Sequence, residues 1–315
     1  VLDANRVRVL VEVAHAGSIA AAAERMSFTA PALSQQLAKL ERELGCTLLE
    51  RRQGGVRLTG AGRILLAYGE RVMGDLRDAE TAVRAAAGER PRRLSLGTFA
   101  SAGKVLVPGA LAAFARAHPD VRPALSDLEP PDGYGLVASG ALDLLITHRY
   151  PGVQLPAAAG LRRERILVDP LMLVLPEGHP AARPGPVPLA EAAGDEWICG
   201  APGVPNRVAL ETAAREAGVR VRVAYETRDY EVTLALIRAG VGVGLVPRTV
   251  LGACEPSGWS AHPVAAADPA APPPAREVYL VHRRRPLAPV PEMASLLRLS
   301  AHRALDRGAG AAAAD

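Results

Sequence analysis

Residues 17–62 read GSIAAAAERMSFTAPALSQQLAKLERELGCTLLERRQGGVRLTGAG, and this stretch decides the fold of the N-terminal part of the chain. Ser18 is placed to cap an Ala-rich helix through about Arg25, and Met26-Ser27-Phe28 breaks it. Thr29 can cap the next helix, whose first turn tolerates Pro31 because the backbone N–H there has no helical partner. Leu33, Leu37, Leu40 and Leu44 recur at helical spacing and predict the buried stripe. Pro31, Ser34, Gln35, Ala38 and Arg42 lie on the opposite face, flanked by Lys39. After Gly45, a short strand (TLLER), a turn at Gln53-Gly54-Gly55 and a return strand (VRLT) predict a two-stranded wing. Helix, break, helix and wing in this order form a winged helix-turn-helix, which presents one helix to a DNA major groove.

Working outward, residues 3–16 place Val7, Leu10, Val11 and Ala14 at helical spacing, and Gly17 ends that helix. Residues 61–88 form one long helical pattern without proline. Leu65, Val72, Ala79 and Ala86 alternate with Gly69, Leu76 and Val83 as a weak heptad seam. The seam fits either self-association or packing of a single amphipathic helix on its own domain. Arg90, Pro91, Arg92 and Arg93 then read as a polar linker.

From Leu94 strands and helices alternate. LSLGTFA reads as strand and loop, Ser101 to His118 as helix, PALSDLE as strand, a helix follows to Ser139, and ALDLLITHR is a buried strand. This is βαβ architecture with a parallel sheet. LMLVLPEGHP, EWICGAP, VRVAYETRD, VTLALIRAG and VGVGLVP continue it through a second lobe. Residues 268–275 (DPAAPPPA) read as a loop, 277–283 as a strand, and 291–305 as a last helix. The tail DRGAGAAAAD has no apolar face and is expected to be disordered.

Bulk properties agree with this division. A chain of 315 residues with 49% hydrophobic and 22% charged residues is globular and long enough for two or three domains. The net charge is only +4, and residues 1–63 hold nine Lys/Arg against six Asp/Glu. Arg outnumbers Lys 35 to 2 among abundant Ala, Gly and Pro, which points to GC-rich codon usage. Cys46, Cys199 and Cys254 are scattered and lack CxxC spacing, which favours reduced thiols. Neither a Cys/His metal cluster nor a cofactor pattern is present, so no metal and no cofactor are expected. No apolar run approaches the roughly 20 residues of a membrane span, and VLDANRVRVL lacks a secretory hydrophobic region. A cytoplasmic protein is expected.

Taken together, A20-AAAERM, T29-APALSQQLAKLERELG-45, L48-LERRQGGVRLTGAG-62, LPEGHP and RAGVGVGLVP resemble the LysR-type transcriptional regulators, and the likeness extends from Val7 to about Leu305. The resemblance implies a homo-oligomer, usually tetrameric, that binds double-stranded promoter DNA. It also implies an effector domain of two Rossmann-like lobes joined by two crossovers, like type II periplasmic binding proteins, with a small-molecule inducer held between them. The expected division is a winged helix-turn-helix domain at 1–60 and a linker or dimerisation helix at 61–89. An effector domain at 90–305 follows, then a disordered tail at 306–315. Lobe I takes about 92–164 and 268–305, and lobe II about 165–267.

Three departures stand out. Ala30 occupies a position where the family commonly has Gln, so an apolar contact to a thymine methyl is expected there. Leu49 replaces the usual Phe before the wing arginine. The peroxide sensors of the family use two nearby cysteines, whereas Cys199 and Cys254 are 55 residues apart.

Candidate DNA-binding residues are Thr29, Ala30, Pro31, Ser34, Gln35, Lys39, Arg51, Arg52 and Arg57. Ser34 and Gln35 suit base edges. Arg51, Arg52, Arg57 and the more distal Arg42 suit phosphates, the alternative being a solvated basic face. Candidate effector-binding residues are Ser101, Thr147, His148, Gly203, Arg207, Thr227 and Arg228, all at strand ends or helix starts, where open α/β sheets hold ligands. Ser101 also aligns with the family's inducer-contacting position. The plain alternatives are caps for Ser101 and Thr227, surface charges for Arg207 and Arg228, and a loop histidine for His148. An arginine facing the cleft would favour an anionic effector such as a carboxylate.

Other classes fit poorly. Gly240-Val241-Gly242-Val243-Gly244 follows a helix and precedes a strand, the reverse of a dinucleotide-binding loop. Residues 94–305 alone would suit a solute-binding module, but the attached DNA reader argues against it. No GxSxG elbow, P-loop or metal spacing supports an α/β enzyme.

Overall fold

The computed structural model describes residues 2–52, 55–88, 93–150, 152–156, 158, 160–255, 257–266 and 272–311, without the side chains of Arg51, Ala85 and residues 309–311. The expected turn residues 53–54, the linker residues 89–92, residues 268–271 of the proline-rich loop and residues 312–315 lie outside them.

Three helices build the reader: α1 (Ala4–Ala16), α2 (Ile19–Met26) and α3 (Ala30–Leu44). Each begins at a side-chain cap: Asp3 accepts from the Asn5 N–H, Ser18 from the Ala21 N–H and Thr29 from the Ala32 N–H. The α2–α3 break is one residue tighter than expected, with Met26 still helical and Ser27 alone in the left-handed region at φ 58°. Leu10, Val13, Ala22, Leu33, Leu37, Leu40 and Leu48 form one core. Leu44, expected in that stripe, is instead 39% exposed, because Gly45 caps the helix there and turns the chain away. The wing is β1 (Leu49–Arg52) against β2 (Gly55–Leu58), antiparallel, with Glu50 opposite Arg57. It is tied to the helices twice: the Val56 N–H donates to the Gly17 carbonyl at 3.0 Å, and the Leu48 N–H donates to the Glu41 carboxylate at 2.7 Å.

Helix α4 (Gly60–Ala86) is the linker helix. Its expected seam is divided between two roles. Gly69 lies against Val7 and Val11 of α1, close enough that an added Cβ would stand 2.8 Å from the Val7 side chain, and Leu65 packs on the reader core. Beyond that point Val72, Leu76 and Val83 are exposed, joined by Ile64 and Tyr68. Tertiary packing consumes the first part of the seam and leaves an apolar stripe at i, i+4, i+8 and i+12 facing outward.

Lobe I holds β3 (Arg93–Thr98), β4 (Arg122–Asp127) and β5 (Leu144–Arg149), all parallel in the order β4-β3-β5. The expectation of a purely parallel sheet is corrected at the next strands. The long β6 (Leu161–Pro176) and β11 (Ala275–Arg283) are antiparallel to each other, and β11 is antiparallel to β5. A strand that carries the chain from one lobe to the other runs against the βαβ direction, which alternation alone does not reveal. Helices α5 (Ala100–Val105), α6 (Val107–Ala117) and α11 (Val290–Ala311) cover one face of the sheet, and α7 (Gly133–Ala138) the other. The single helix expected from Ser101 to His118 is two, because Pro108 starts a fresh first turn after Leu106.

Lobe II extends β6 with β9 (Gly244–Pro247) and β10 (Trp259–Pro263), both antiparallel to it. The parallel pair β7 (Glu196–Cys199) and β8 (Arg222–Glu226) joins through a bridge between Trp197 and Val243. Helices α8 (Pro205–Glu216), α9 (Tyr230–Arg238) and α10 (Arg248–Leu251) close its cores. The last helix runs through residues 306–311, where disorder was expected. Gly308 is what lets it continue: its bare backbone lies against α10, and a Cβ there would come within 2.8 Å of the Arg248 carbonyl.

Candidate effector cleft and DNA-facing surface

A cleft of about 420 Å³ opens between the two lobes. Lobe I supplies Phe99 and Ser101 beyond β3, Asp127 and Glu129 at the end of β4, and His148 and Tyr150 at the end of β5. Lobe II supplies Asn206 at the start of α8 and Arg228 to Glu231 at the start of α9. The three parallel strands of lobe I end at the cleft, the usual ligand position in an open α/β sheet, and the antiparallel β11 begins there with Arg276. Its volume lies at the low end of the roughly 300–1,000 Å³ typical of small-molecule sites.

The floor is a buried ionic knot on the two crossing strands. Arg276 of β11 stands opposite Asp169 of β6, and their charged groups are 2.9 Å apart with almost no exposure. The Asp169 carboxylate also accepts from the Thr249 N–H at 3.0 Å and the Thr249 hydroxyl at 2.7 Å. The Arg276 guanidinium donates onward to Ser101 Oγ at 2.8 Å and lies over the Phe99 ring at 5.3 Å. Burial works against the charge on Arg276, but the groups that face it, Tyr150, Asp169 and Tyr230, outweigh it and raise its pKa, so the guanidinium stays protonated. Paired buried charges of this kind are stable only while every partner is present.

Two further contacts span the lobes. The Tyr150 and Tyr230 hydroxyls share a hydrogen bond of 2.7 Å, and burial raises both phenols above their ordinary range. Lys104 of α5 pairs with Glu231 of α9 across the mouth. His148 is wedged edge-on between Phe99 and Tyr150, with Nε2 3.6 Å from Glu129. Burial depresses its pKa more than the neighbouring carboxylate raises it, so the ring is neutral near pH 7. Contact with His148, partly opposed by the carboxyl's own burial, lowers Glu129, which stays ionised.

Of the sequence-derived effector residues, Ser101, His148 and Arg228 line this cleft together. Four are absent from its lining. Thr147 is buried within β5, one residue away and facing the other side of the sheet. Gly203 is in the loop before α8. Arg207 pairs with Glu211 on its own helix at 2.7 Å. Thr227 accepts from the Asp229 N–H at 3.1 Å in the turn before α9, whose cap is Asp229 and not Thr227. Sequence reading missed Arg276, Tyr150, Tyr230, Lys104 and Glu129. Arg276 lies 175 positions from Ser101 and is brought to it only by the crossover strand. An arginine near the start of a strand (REVYLV), on the face opposite Glu277, was the available signal.

A larger depression, about 1310 Å³, opens where α4 meets lobe I. Arg283 in its lining is committed to Asp78 of α4 at 3.0 Å, which makes the depression a joint between modules.

On the reader, Pro31, Gln35 and Lys39 are exposed along one face of α3, with Gln36 beside them and Ser34 half-buried. Thr29 is the cap, and Ala30 is partly buried against the core, which leaves less of its methyl for a base. Arg52 and Arg57 are exposed on the wing, where Arg52 is 3.6 Å from Glu50. The Arg51 side chain lies outside the described residues. Arg42 at the far end of α3 donates to the Ala38 carbonyl of its own helix.

A helical reader with a wing, a linker helix and a two-lobed α/β cleft define a ligand-responsive DNA-binding regulator. Family comparison agrees over nearly the whole chain. Residues 4–63 match the bacterial regulatory helix-turn-helix protein model of the lysR family, and residues 87–299 match the LysR substrate binding domain. The chain belongs to the LysR family of transcriptional regulators, which act by binding promoter DNA and small-molecule effectors and not as enzymes.

Among curated relatives, the small neutral protease regulatory protein of Streptomyces coelicolor is 31% identical over 82% of this chain and 75% of that protein. The regulator AlsR of Bacillus subtilis is 27% identical over 78% of this chain and 80% of its own length. Among solved structures, a full-length OxyR from Pseudomonas aeruginosa superposes with a TM-score of 0.68 at 21% identity, covering 96% of this chain and 95% of that one. CbnR in complex with its target DNA superposes with a TM-score of 0.52 at 22% identity, covering 95% and 100%. These two likenesses concern the fold. Thiol chemistry does not follow from the first: Cys199 is buried in β7, and that burial pushes its thiol up to about 11, so it is not a thiolate at neutral pH.

Proposed function

We propose that this chain is a cytoplasmic regulator that pairs through α4 and reads a two-fold symmetric promoter site with α3 and the wing. An effector bound between the lobes would change how the paired readers sit on DNA. The observation that carries the pairing is the outward stripe of Ile64, Tyr68, Val72, Leu76 and Val83, which solvent would not favour on an isolated helix. Self-association suits the reader as well, because two copies double the contacts to a symmetric site.

The cleft supports the effector role through Ser101, His148 and Arg228, with Arg276 at the floor. Its route to DNA is short. Helix α7 of lobe I rests directly on α4, with Gly135 against the His15–Glu70 pair and Gly74 against the Ala138 carbonyl. Arg283 of the crossing strand β11 bonds Asp78 of α4 at 3.0 Å and the carbonyls of Val137 and Leu142. A ligand that favours one lobe arrangement shifts this joint by its difference in affinity for the two arrangements.

In-vitro selection of DNA sites with the full chain should recover a two-fold symmetric motif. The double change Val72→Asp and Leu76→Asp should give monomers by light scattering and abolish cooperative binding. A chain that is monomeric before the change, or that selects a site without symmetry, would sink the proposal.

A further inference from the structure

The groups left unsatisfied in the cleft ask for a positively charged hydrogen-bond donor. Lys104, Arg228 and Arg276 line it against Asp127, Glu129, Asp229 and Glu231. Most of these are already committed: Arg276 to Asp169, Lys104 to Glu231, and Asp229 to the Glu231 N–H that it caps at 2.8 Å. Asp127 makes no side-chain hydrogen bond or ion pair among the described residues, and Glu129 meets only the neutral His148. Arg228, exposed on the opposite lobe, has no ion-pair partner within contact distance among the described residues.

His148, which lines the same cleft beside Glu129, also has a polar atom without a partner. Its side chain is only 7% exposed, and Nδ1 is buried without a hydrogen-bond partner. The Glu129 carboxylate draws the ring proton to Nε2, so Nδ1 presents a bare lone pair. Buried acceptors in native proteins are nearly always paired, and no group among the described residues pairs this one. Asn206 Oδ1, on the facing helix α8, is a further buried acceptor without a partner.

We propose that the effector is a zwitterion of amino-acid size. Its protonated amine would lie between the Asp127 and Glu129 carboxylates, and its carboxylate would turn toward Arg228 and the Ser101 hydroxyl. Ser101 suits this because its oxygen already accepts from Arg276 at 2.8 Å, which leaves its own proton to donate. The arrangement keeps the carboxylate expected from sequence as one end of the ligand and adds a cationic end that the sequence did not disclose. It rests on the reading of the cleft as the effector site.

The test uses the full chain and the twenty standard α-amino acids, each paired with its 2-hydroxy acid and its decarboxylated amine. Binding is followed by titration calorimetry. At least one amino acid should bind ten-fold or more tightly than both of its counterparts. Asp127→Asn and Glu129→Gln should each weaken it at least ten-fold, whereas Glu129→Asp, which preserves the charge, should weaken it less than Glu129→Gln. Unfolding of each variant, read from tryptophan fluorescence, establishes that it is folded. A hydroxy acid that binds as tightly as its amino acid, or amino-acid binding indifferent to Asp127→Asn and Glu129→Gln, overturns the proposal. So does a panel in which nothing binds. Ser101→Trp separates the two readings. A hydroxy acid whose binding Ser101→Trp blocks leaves the cleft standing without the amine, whereas an amino acid that binds undiminished in that variant refutes the cleft itself.

Discussion

Removing the carboxylate of Asp169 should be among the most damaging single changes available in the effector domain. Asp169 is fully buried and answers three donors: the Arg276 guanidinium, the Thr249 N–H and the Thr249 hydroxyl. In Asp169→Ala the guanidinium stays buried with neutral partners alone, the Ser101 hydroxyl, the Tyr150 phenol and a 3.4 Å contact to Thr249. An arginine cannot escape by losing its proton. Breaking a buried pair from one side costs about 3–5 kcal/mol. With a urea dependence of about 2 kcal/mol per molar for a domain of this size, the midpoint should fall by about 2 M. The assay is built into the sequence: the two tryptophans, Trp197 and Trp259, are both buried in lobe II, so their fluorescence follows this unit. Arg276→Leu should cost less than Asp169→Ala, because the stranded carboxyl can take up a proton and keeps both Thr249 donors. The double change to leucine at both positions should recover most of the loss, since apolar replacement of a buried pair is often nearly neutral. A midpoint shift under about 0.5 M for Asp169→Ala, roughly 1 kcal/mol on the same scale, would refute the reasoning. So would a double variant no better than the worse single one.

Three other outcomes are expected. Burial lowers the pKa of His148 from 6.5, so the unfolded chain binds a proton near pH 6.5 that the folded chain refuses, and stability falls as the pH drops below that value. The decline between pH 7 and 5.5 should be shallower in His148→Phe, by up to about 1.4 kcal/mol per pH unit, and equal slopes would count against a neutral buried ring. Arg57→Ala should weaken DNA binding at every sequence and reduce the salt slope by about 0.9, whereas Gln35→Ala should change the preferred sequence, each read by titration over a range of salt. An added Cβ at Gly74 would stand 2.3 Å from the Ala138 carbonyl, so Gly74→Ala should push lobe I off the linker helix at a cost of about 1–3 kcal/mol. Solution scattering should then show a larger particle, and an unchanged profile would mean that α7 and α4 are not in contact in solution.

The reader was legible because its determinants are local. Ser18, Thr29, Pro31 and Gly45 each act within a turn of their own position, and the leucine spacing of α3 sets its own buried face. Errors fell where a distant segment intervened. Leu65 and Gly69 are claimed by α1, so the seam of α4 does not run its full length. Residues 306–311 stay helical because Gly308 meets α10. In the cleft, strand ends were enough to find Ser101, His148 and Arg228, since a strand-to-helix junction is visible in sequence. Arg207 sits at an equally visible junction, but its own helix supplies Glu211, and it turns there.

By itself, the sequence determined the elements, their caps and the order reader, linker, two lobes, because these follow from interactions within a few residues. Tertiary structure decided the direction of β6 and β11, the meeting of Arg276 with Asp169 and Ser101, and the orphaned nitrogen of His148. Each of those depends on which distant atom occupies the neighbouring space, and burial, the quantity that fixes the charge and cost of such groups, exists only once the chain has folded.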